Sequence, residues 1–212
     1  MRYINQNYIR VSGTLTEGVT FSHEVHGIKM YTGTIEVTRK SGVIDKLPIT
    51  LSEGLKSTID PYFNCDVTII GEIRTYNKHV DDKSKLLISI FVKEITVIKD
   101  ELFENNVELE GFICKEPIYR ETPFNKQICD LLIAVNRDYN KSNYIPVICW
   151  GTTAANAREL PVGTRVMING RLQSREYNKN GEIKTAYELS ANSVEEINTL
   201  PDEFEPLEEI DL

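Results

Sequence analysis

Apolar and polar residues alternate along much of this chain with the period of two that marks β-strands. The clearest case is Val166–Tyr177, which reads Val-Met-Ile-Asn-Gly-Arg-Leu-Gln-Ser-Arg-Glu-Tyr. Successive side chains of a strand point to opposite faces. Val166, Ile168 and Leu172 therefore share an apolar face, and Arg171, Gln173, Arg175 and Tyr177 share the other. Tyr144–Trp150 behaves in the same way. Ile145, Val147 and Cys149 fall on one side, and Tyr144, Pro146, Ile148 and Trp150 on the other. The outward faces combine fixed positive charge, an amide and aromatic rings, including the single Trp of the chain. A surface of that kind suits a flexible polyanion carrying flat bases. Plainer readings of the same residues are a solvated strand face and, for Trp150, a ring that closes a core.

The pattern occurs twice, with a period near 98 residues. Tyr8–Gly13 and Asn106–Gly111 are short β-like segments that end in Gly. Val67–Asn77 mirrors Val166–Asn178, and Leu47-Pro48-Ile49 mirrors Ile145-Pro146-Val147. Gly13 lies 58 positions before Gly71, and Gly111 lies 59 before Gly170. Further strand signals are Thr34–Thr38 and Leu86–Ile98 in the first unit, and Asp130–Asn136 and Thr185–Ala191 in the second. Each unit has one helix candidate. These are Ser52–Ile59 before Pro61, and Thr152–Leu160 before Pro161 and Gly163. About five strands with a helix after the third is the plan of the OB-fold, a small partly open barrel. The predicted class is all-β with one short helix per unit: two tandem OB-folds, over 1–99 and 106–197, and a disordered acidic tail over 198–212. The short join, Lys99–Asn106, predicts packed units rather than free ones.

Net charge is −8, from 24 basic and 32 acidic residues, which at first argues against a nucleic-acid partner. Eight of the acidic residues and none of the basic ones fall in Glu195–Leu212, so residues 1–194 carry 24 of each sign. A neutral body can still carry a basic groove. The polar start, Met1–Arg10, predicts no signal peptide, and no apolar run approaches the roughly 20 residues that span a bilayer. A cytoplasmic location is expected. Cys65, Cys114, Cys129 and Cys149 are scattered, without a C-x-x-C pair, and are expected to be reduced and mostly buried. His23 and His26 have H-x-x-H spacing but no cysteine beside them, so no metal is expected. Phosphate-binding, dinucleotide and nucleophile-elbow motifs are missing, so no catalytic residue and no cofactor is expected.

The second unit carries an ordered series: Gly111 and Pro117, Ala134-Val135-Asn136-Arg137, Tyr144-Ile145-Pro146-Val147, Trp150-Gly151, and Gly170-Arg171-Leu172-Gln173-Ser174-Arg175 followed by Tyr177. This series resembles the bacterial single-stranded DNA-binding protein family. The two-unit layout resembles the tandem-OB members found in clostridia-like bacteria. The resemblance places base-stacking rings at Tyr139, Tyr144, Trp150 and Tyr177. It places phosphate contacts at Arg137, Lys141, Arg171, Arg175 and Lys179, with Lys179–Glu182 as a hairpin tip. The first unit departs from this pattern. It has Lys46 and Ser52 where the second has Tyr144 and Trp150, and Glu72 in place of Arg171. Arg74, Tyr76 and Lys78 still share a face, and Tyr31, Arg39 and Lys40 stand near it as an auxiliary surface.

The family ends in an acidic tip that docks replication and repair proteins. The corresponding segment here carries Phe204, Leu207, Ile210, Asp211 and Leu212, without the family's Pro-Phe ending or its long Gly/Gln/Pro-rich linker. Four OB units make the usual family assembly, so two per chain imply a homodimer. The expected function is sequence-tolerant binding and protection of single-stranded DNA in replication, recombination or repair. It proceeds by base stacking and phosphate contact, in the cytoplasm at the nucleoid, with no bond made or broken. The alternative is an OB-fold adaptor of the primosome type, with weak nucleic-acid binding.

Overall fold

The computed structural model describes residues 7–59, 64–80, 83–99, 103–137, 141–179 and 181–197, with backbone alone at 78–80, 83–85 and 179. The strands in chain order are β1 (Asn7–Leu15), β2 (Thr20–Val25), β3 (Ile28–Thr38), β4 (Ile44–Ser52), β5 (Cys65–Val80) and β6 (Lys83–Val97), then β7 (Asn105–Ile113), β8 (Ile118–Glu121), β9 (Gln127–Arg137), β10 (Lys141–Trp150), β11 (Arg165–Lys179) and β12 (Glu182–Glu196). Helix α1 (Glu53–Ile59) follows β4, and α2 (Gly151–Ala157) follows β10. Both helices fall where the sequence predicts them. The second ends three residues early, in turns closed by Ala154, Asn156 and Ala157 carbonyls. Among the described residues no helix is long and apolar enough to cross a membrane.

Each half closes into an OB-fold barrel. β1 pairs with β5 along one edge and reaches β3 on the other, at Thr14 opposite Glu36. β7 does the same with β11 and β9, at Phe112 opposite Ala134 and Ile113 opposite Ile133. The repeated glycines have a steric cause. A Cβ at Gly13 would run into the Glu36 carbonyl, and one at Gly111 into the Ala134 carbonyl, so barrel closure needs a residue without a side chain there. Gly71 and Gly170 mark a second shared device. The ladder shifts register between Ile70 and Gly71 against β6, and between Asn169 and Gly170 against β12. Lys93 and Asn192 are the extra residues of these two β-bulges, which bend the strands round the barrel.

The inward rows fill the cores. On β4, Leu47, Ile49 and Leu51 are fully buried; on β10, Ile145, Val147 and Cys149 play the same part. Each such aliphatic side chain stabilises the fold by roughly 1.5–3 kcal/mol relative to exposure. Cys129 and Cys149 are buried opposite one another across β9 and β10. Burial and the neighbouring Cys129 push the Cys149 thiol up to about 12, so it stays protonated and unreactive.

The two barrels share one sheet through an antiparallel β1–β7 pair. Ile9 lies opposite Val107, its own counterpart in the repeat, and Asn7 opposite Leu109 mirrors Val11 opposite Asn105. The register is therefore its own mirror, and the barrels are related by a local two-fold centred on this pair. Side chains extend the symmetry. Asn7 donates to the Ile73 carbonyl at 2.7 Å and accepts the Ile73 N–H at 2.9 Å. Asn105 does the same to Leu172, at 2.7 and 3.0 Å. These amides satisfy backbone groups that the β1–β5 and β7–β11 ladders leave unpaired.

Candidate nucleic-acid interface

In-register lateral neighbours in a sheet share a face. Ile148 of β10 lies beside Ser190 of β12, and Ser190 lies opposite Arg171 of β11. The outward row of β10, from Tyr144 to Trp150, and the outward row of β11, from Arg171 to Tyr177, thus belong to one curved surface of the second barrel. The sequence selected these two rows separately; the pairing of β12 between them brings them together. Tyr144, Trp150 and Tyr177 are exposed by 45%, 42% and 37%. Each ring therefore keeps a large apolar area open to solvent.

Two residues of these rows are buried instead of presented. Ile148 and Gln173 are closed off, along with Ser190 and Glu188, and form the floor between the exposed rings. Gln173 donates to Glu188 at 3.0 Å and receives one Arg171 N–H at 3.3 Å. Simple alternation along the strand predicts an outward Gln173. Gln173 lies opposite Glu188 of β12 and next to Ser174, which bonds Asp45 of the first barrel, and a glutamine can be buried there because Glu188 takes its amide. Arg171 Nε is buried without a partner among the described residues, which leaves that guanidinium short of an acceptor. Arg175 touches Glu188 at 3.5 Å with half its side chain in solvent, and its guanidinium lies 5.8 Å from the Tyr177 ring centre.

Arg137 and Lys141 face each other at the turn end of the β9–β10 hairpin, with Lys141 exposed. Tyr139 lies outside the described residues, as do Phe204, Leu207, Ile210, Asp211 and Leu212; the Lys179 side chain is outside them too. The first-barrel pair is split. Tyr76 is 55% exposed, but Arg74 lies over the Phe91 ring, 3.3 Å from its centre, and bonds Glu72 at 2.5 Å. Glu72 also holds Lys93 at 2.8 Å. Burial pushes the Glu72 carboxyl up, but hydrogen bonds from Lys93 and Arg74 outweigh it and hold it below its ordinary range.

Alternation does not reveal how the arms cross. The β5–β6 and β11–β12 hairpins are much longer than their apolar cores, because beyond the barrel both faces of an arm are wet and alternation fades. Each arm reaches the other barrel. Asn143 accepts the Thr75 N–H at 2.9 Å, and Thr75 Oγ1 accepts the Tyr144 N–H at 2.8 Å. Across the two-fold, Asp45 accepts the Ser174 N–H at 2.7 Å, and Ser174 Oγ accepts the Lys46 N–H at 3.1 Å. Asp45 is fully buried and grips Arg39 through two hydrogen bonds of 2.6 and 2.7 Å. The chain therefore seats Thr75, next to Tyr76, against the start of the Tyr144 strand, and Ser174 against Arg39, Asp45 and Lys46 of the first barrel.

Residues 104–197 match the model of the single-strand binding protein family. The single-stranded DNA-binding protein 1 of Clostridium acetobutylicum is 36% identical over 105 residues, which is 45% of this chain and 94% of that protein. The chain belongs to the single-strand binding protein family. Its match to the single-stranded DNA-binding protein of Deinococcus radiodurans is 33% identical over 100 residues and spans 33% of that longer protein. Both barrels of this family member superpose on the solved single-stranded DNA-binding protein of Thermus aquaticus. The TM-score is 0.72 at 21% identity, covering 92% of this chain and 94% of that one.

Proposed function

We propose that the chain binds single-stranded DNA with little sequence preference, in replication, recombination or repair, and that its second barrel carries most of the affinity. The supporting observation is the single face that gathers Tyr144, Trp150, Arg171, Arg175 and Tyr177 over a buried polar floor. Bases stack on the rings, each contributing about 1–3 kcal/mol, while the guanidinium groups meet phosphates and release counterions. Tyr139, Arg137, Lys141 and Lys179 extend the path at the hairpin ends, and Arg74 and Tyr76 form a weaker continuation on the first barrel. The activity is binding rather than bond chemistry. The chain works as a homodimer, with four barrels, at the nucleoid in the cytoplasm, and its acidic tail docks replication and repair proteins.

A titration with oligo-dT that follows Trp150 fluorescence at low and high salt tests this reading. Saturable, salt-sensitive quenching is expected. Absence of binding to dT and to RNA would transfer the face to a protein partner, as in an OB-fold adaptor. Light scattering of the purified chain reads the dimer. Removal of Pro201–Leu212 is expected to leave DNA affinity equal or higher, and to abolish capture of replication proteins.

A further inference from the structure

A cleft of about 440 Å³ opens beside Trp150, lined by Asn125, Lys126, Gln127, Trp150 and Gly151. Its far wall is the turn between β8 and β9. Trp150 lies opposite Ile128 at the start of β9, so the indole and the turn are fixed on neighbouring strands. The turn is tightly closed. Thr122 N–H donates to the Lys126 carbonyl and Asn125 N–H to the Thr122 carbonyl, both at 2.9 Å, and Thr122 Oγ1 accepts the Lys126 N–H at 3.1 Å. Asn125 takes a left-handed conformation, with φ of 56°, which an asparagine tolerates. Phe124 at the tip is 86% exposed, the largest exposure of any aromatic residue described. No hydrogen bond engages the side chains of Asn125, Lys126 or Gln127 among the described residues.

We propose that this cleft is a nucleobase subsite, and that a DNA strand leaving Trp150 continues over the β8–β9 turn. The inference rests on the single-stranded DNA reading above. A base entering the cleft stacks against the indole. The Asn125 and Gln127 amides offer both a donor and an acceptor to its edge. The Lys126 ammonium meets the adjoining phosphate, and the Phe124 ring stacks the next base. The turn is ordered in advance, so little entropy is lost when the strand arrives. The first barrel has no equivalent: Ser52 stands in place of Trp150, and the β2–β3 turn carries His26 and Gly27 at its tip.

The test is titration of the full chain and of a Phe124→Ala/Lys126→Ala variant with oligo-dT of decreasing length, at several salt concentrations. Both side chains are exposed, so the melting temperature should not move. The variant is expected to bind the longest oligomer about 10-fold more weakly. Its salt slope should fall by about one, and its shortest saturating oligomer should be shorter. Lys126→Glu is the second variant, expected to bind more weakly than Lys126→Ala with Phe124 intact. If the unaltered chain binds dT and all variants match it in affinity, slope and length, the subsite is refuted while the DNA reading stands. If the unaltered chain does not bind, both fall.

Discussion

In the first barrel Glu72 sits between Arg74 and Lys93 and forms an ion pair with each. The second barrel has Arg171, Gln173 and Asn192 at the equivalent places, and among the described residues no carboxylate is paired with Arg171. The same contrast recurs at the crossing of the arms. Asp45 and Asn143 occupy one position of the repeat and accept the same backbone N–H from the opposite arm. The aspartate also immobilises Arg39, whereas the asparagine carries no charge to do so. Lys46 is bound to Glu36 where the second barrel presents Tyr144. The closure glycines, bulges and asparagine brackets are retained in both barrels. The lesson is that the scaffold is shared, and that in the first barrel the groups able to hold a polyanion are turned toward one another.

The largest effect should come from the rings. Trp150→Ala with Tyr177→Ala is expected to cost about 2–6 kcal/mol of dT binding, two stacked bases' worth. Tyr76→Ala should cost less than about 1 kcal/mol. Equal losses in equilibrium titrations would break the claim that the second barrel dominates, and would make the Tyr76–Tyr144 crossing the centre of the site. The scaffold should respond with the opposite symmetry. Gly71→Ala and Gly170→Ala each drive a Cβ into a carbonyl, of Phe91 and of Ser190, and should each destabilise by about 3 kcal/mol. Unequal shifts in thermal or urea unfolding would show that the barrels do not share their stability as they share their geometry.

Asp45→Asn makes the first crossing resemble the second. The Ser174 N–H keeps its acceptor, but Arg39 loses a charged partner. The expected cost is about 1–3 kcal/mol of stability, limited because Arg39 is 24% exposed and can turn to water. The freed guanidinium should then raise the salt slope of DNA binding by about one. A slope that does not move would mean that Arg39 lies off the DNA path.

Much of this was legible in the sequence for one physical reason. Period-two alternation reports burial, so the core rows of β4, β10 and β11 and the exposure of Tyr144, Trp150 and Tyr177 could be read directly. The repeat gave the glycines, although their cause, contact with a carbonyl of a distant strand, needs three dimensions. What escaped were the features made by non-local pairing. Gln173 is polar and looks outward until Glu188 is seen beside it on β12. Asp45, Asn143, Thr75 and Ser174 are unremarkable alone, because their roles exist only where an arm meets the other barrel. Phe124 and Lys126 sit in a turn, where no period applies and the neighbouring Trp150 is 24 or more residues away in sequence. Polar residues at the otherwise apolar inward parity of β4 and β10, Asp45 and Asn143, were the one available signal of a crossing.

The smallest expected effect concerns Glu72. Its folded-state carboxyl is held below the ordinary range, so it contributes stability above its unfolded pKa and loses that contribution as pH falls through the lower, folded value. Ion pairs this close to solvent contribute about 0–1 kcal/mol, so Glu72→Gln should cost little at pH 7. The variant should also lose less stability than the unaltered chain on acidification below the carboxylate range, because one linked proton has gone. DNA binding discriminates further. With the Glu72 carboxylate removed, Arg74 and Lys93 lose their competing anion, and the variant should bind dT slightly more tightly at low salt, with a steeper salt dependence. That gain should survive in a Trp150→Ala/Tyr177→Ala background if the first barrel is a suppressed copy of the second. If the gain vanishes there, Arg74 and Lys93 never reach the strand, and the first barrel serves chiefly to hold the arm that supports Tyr144.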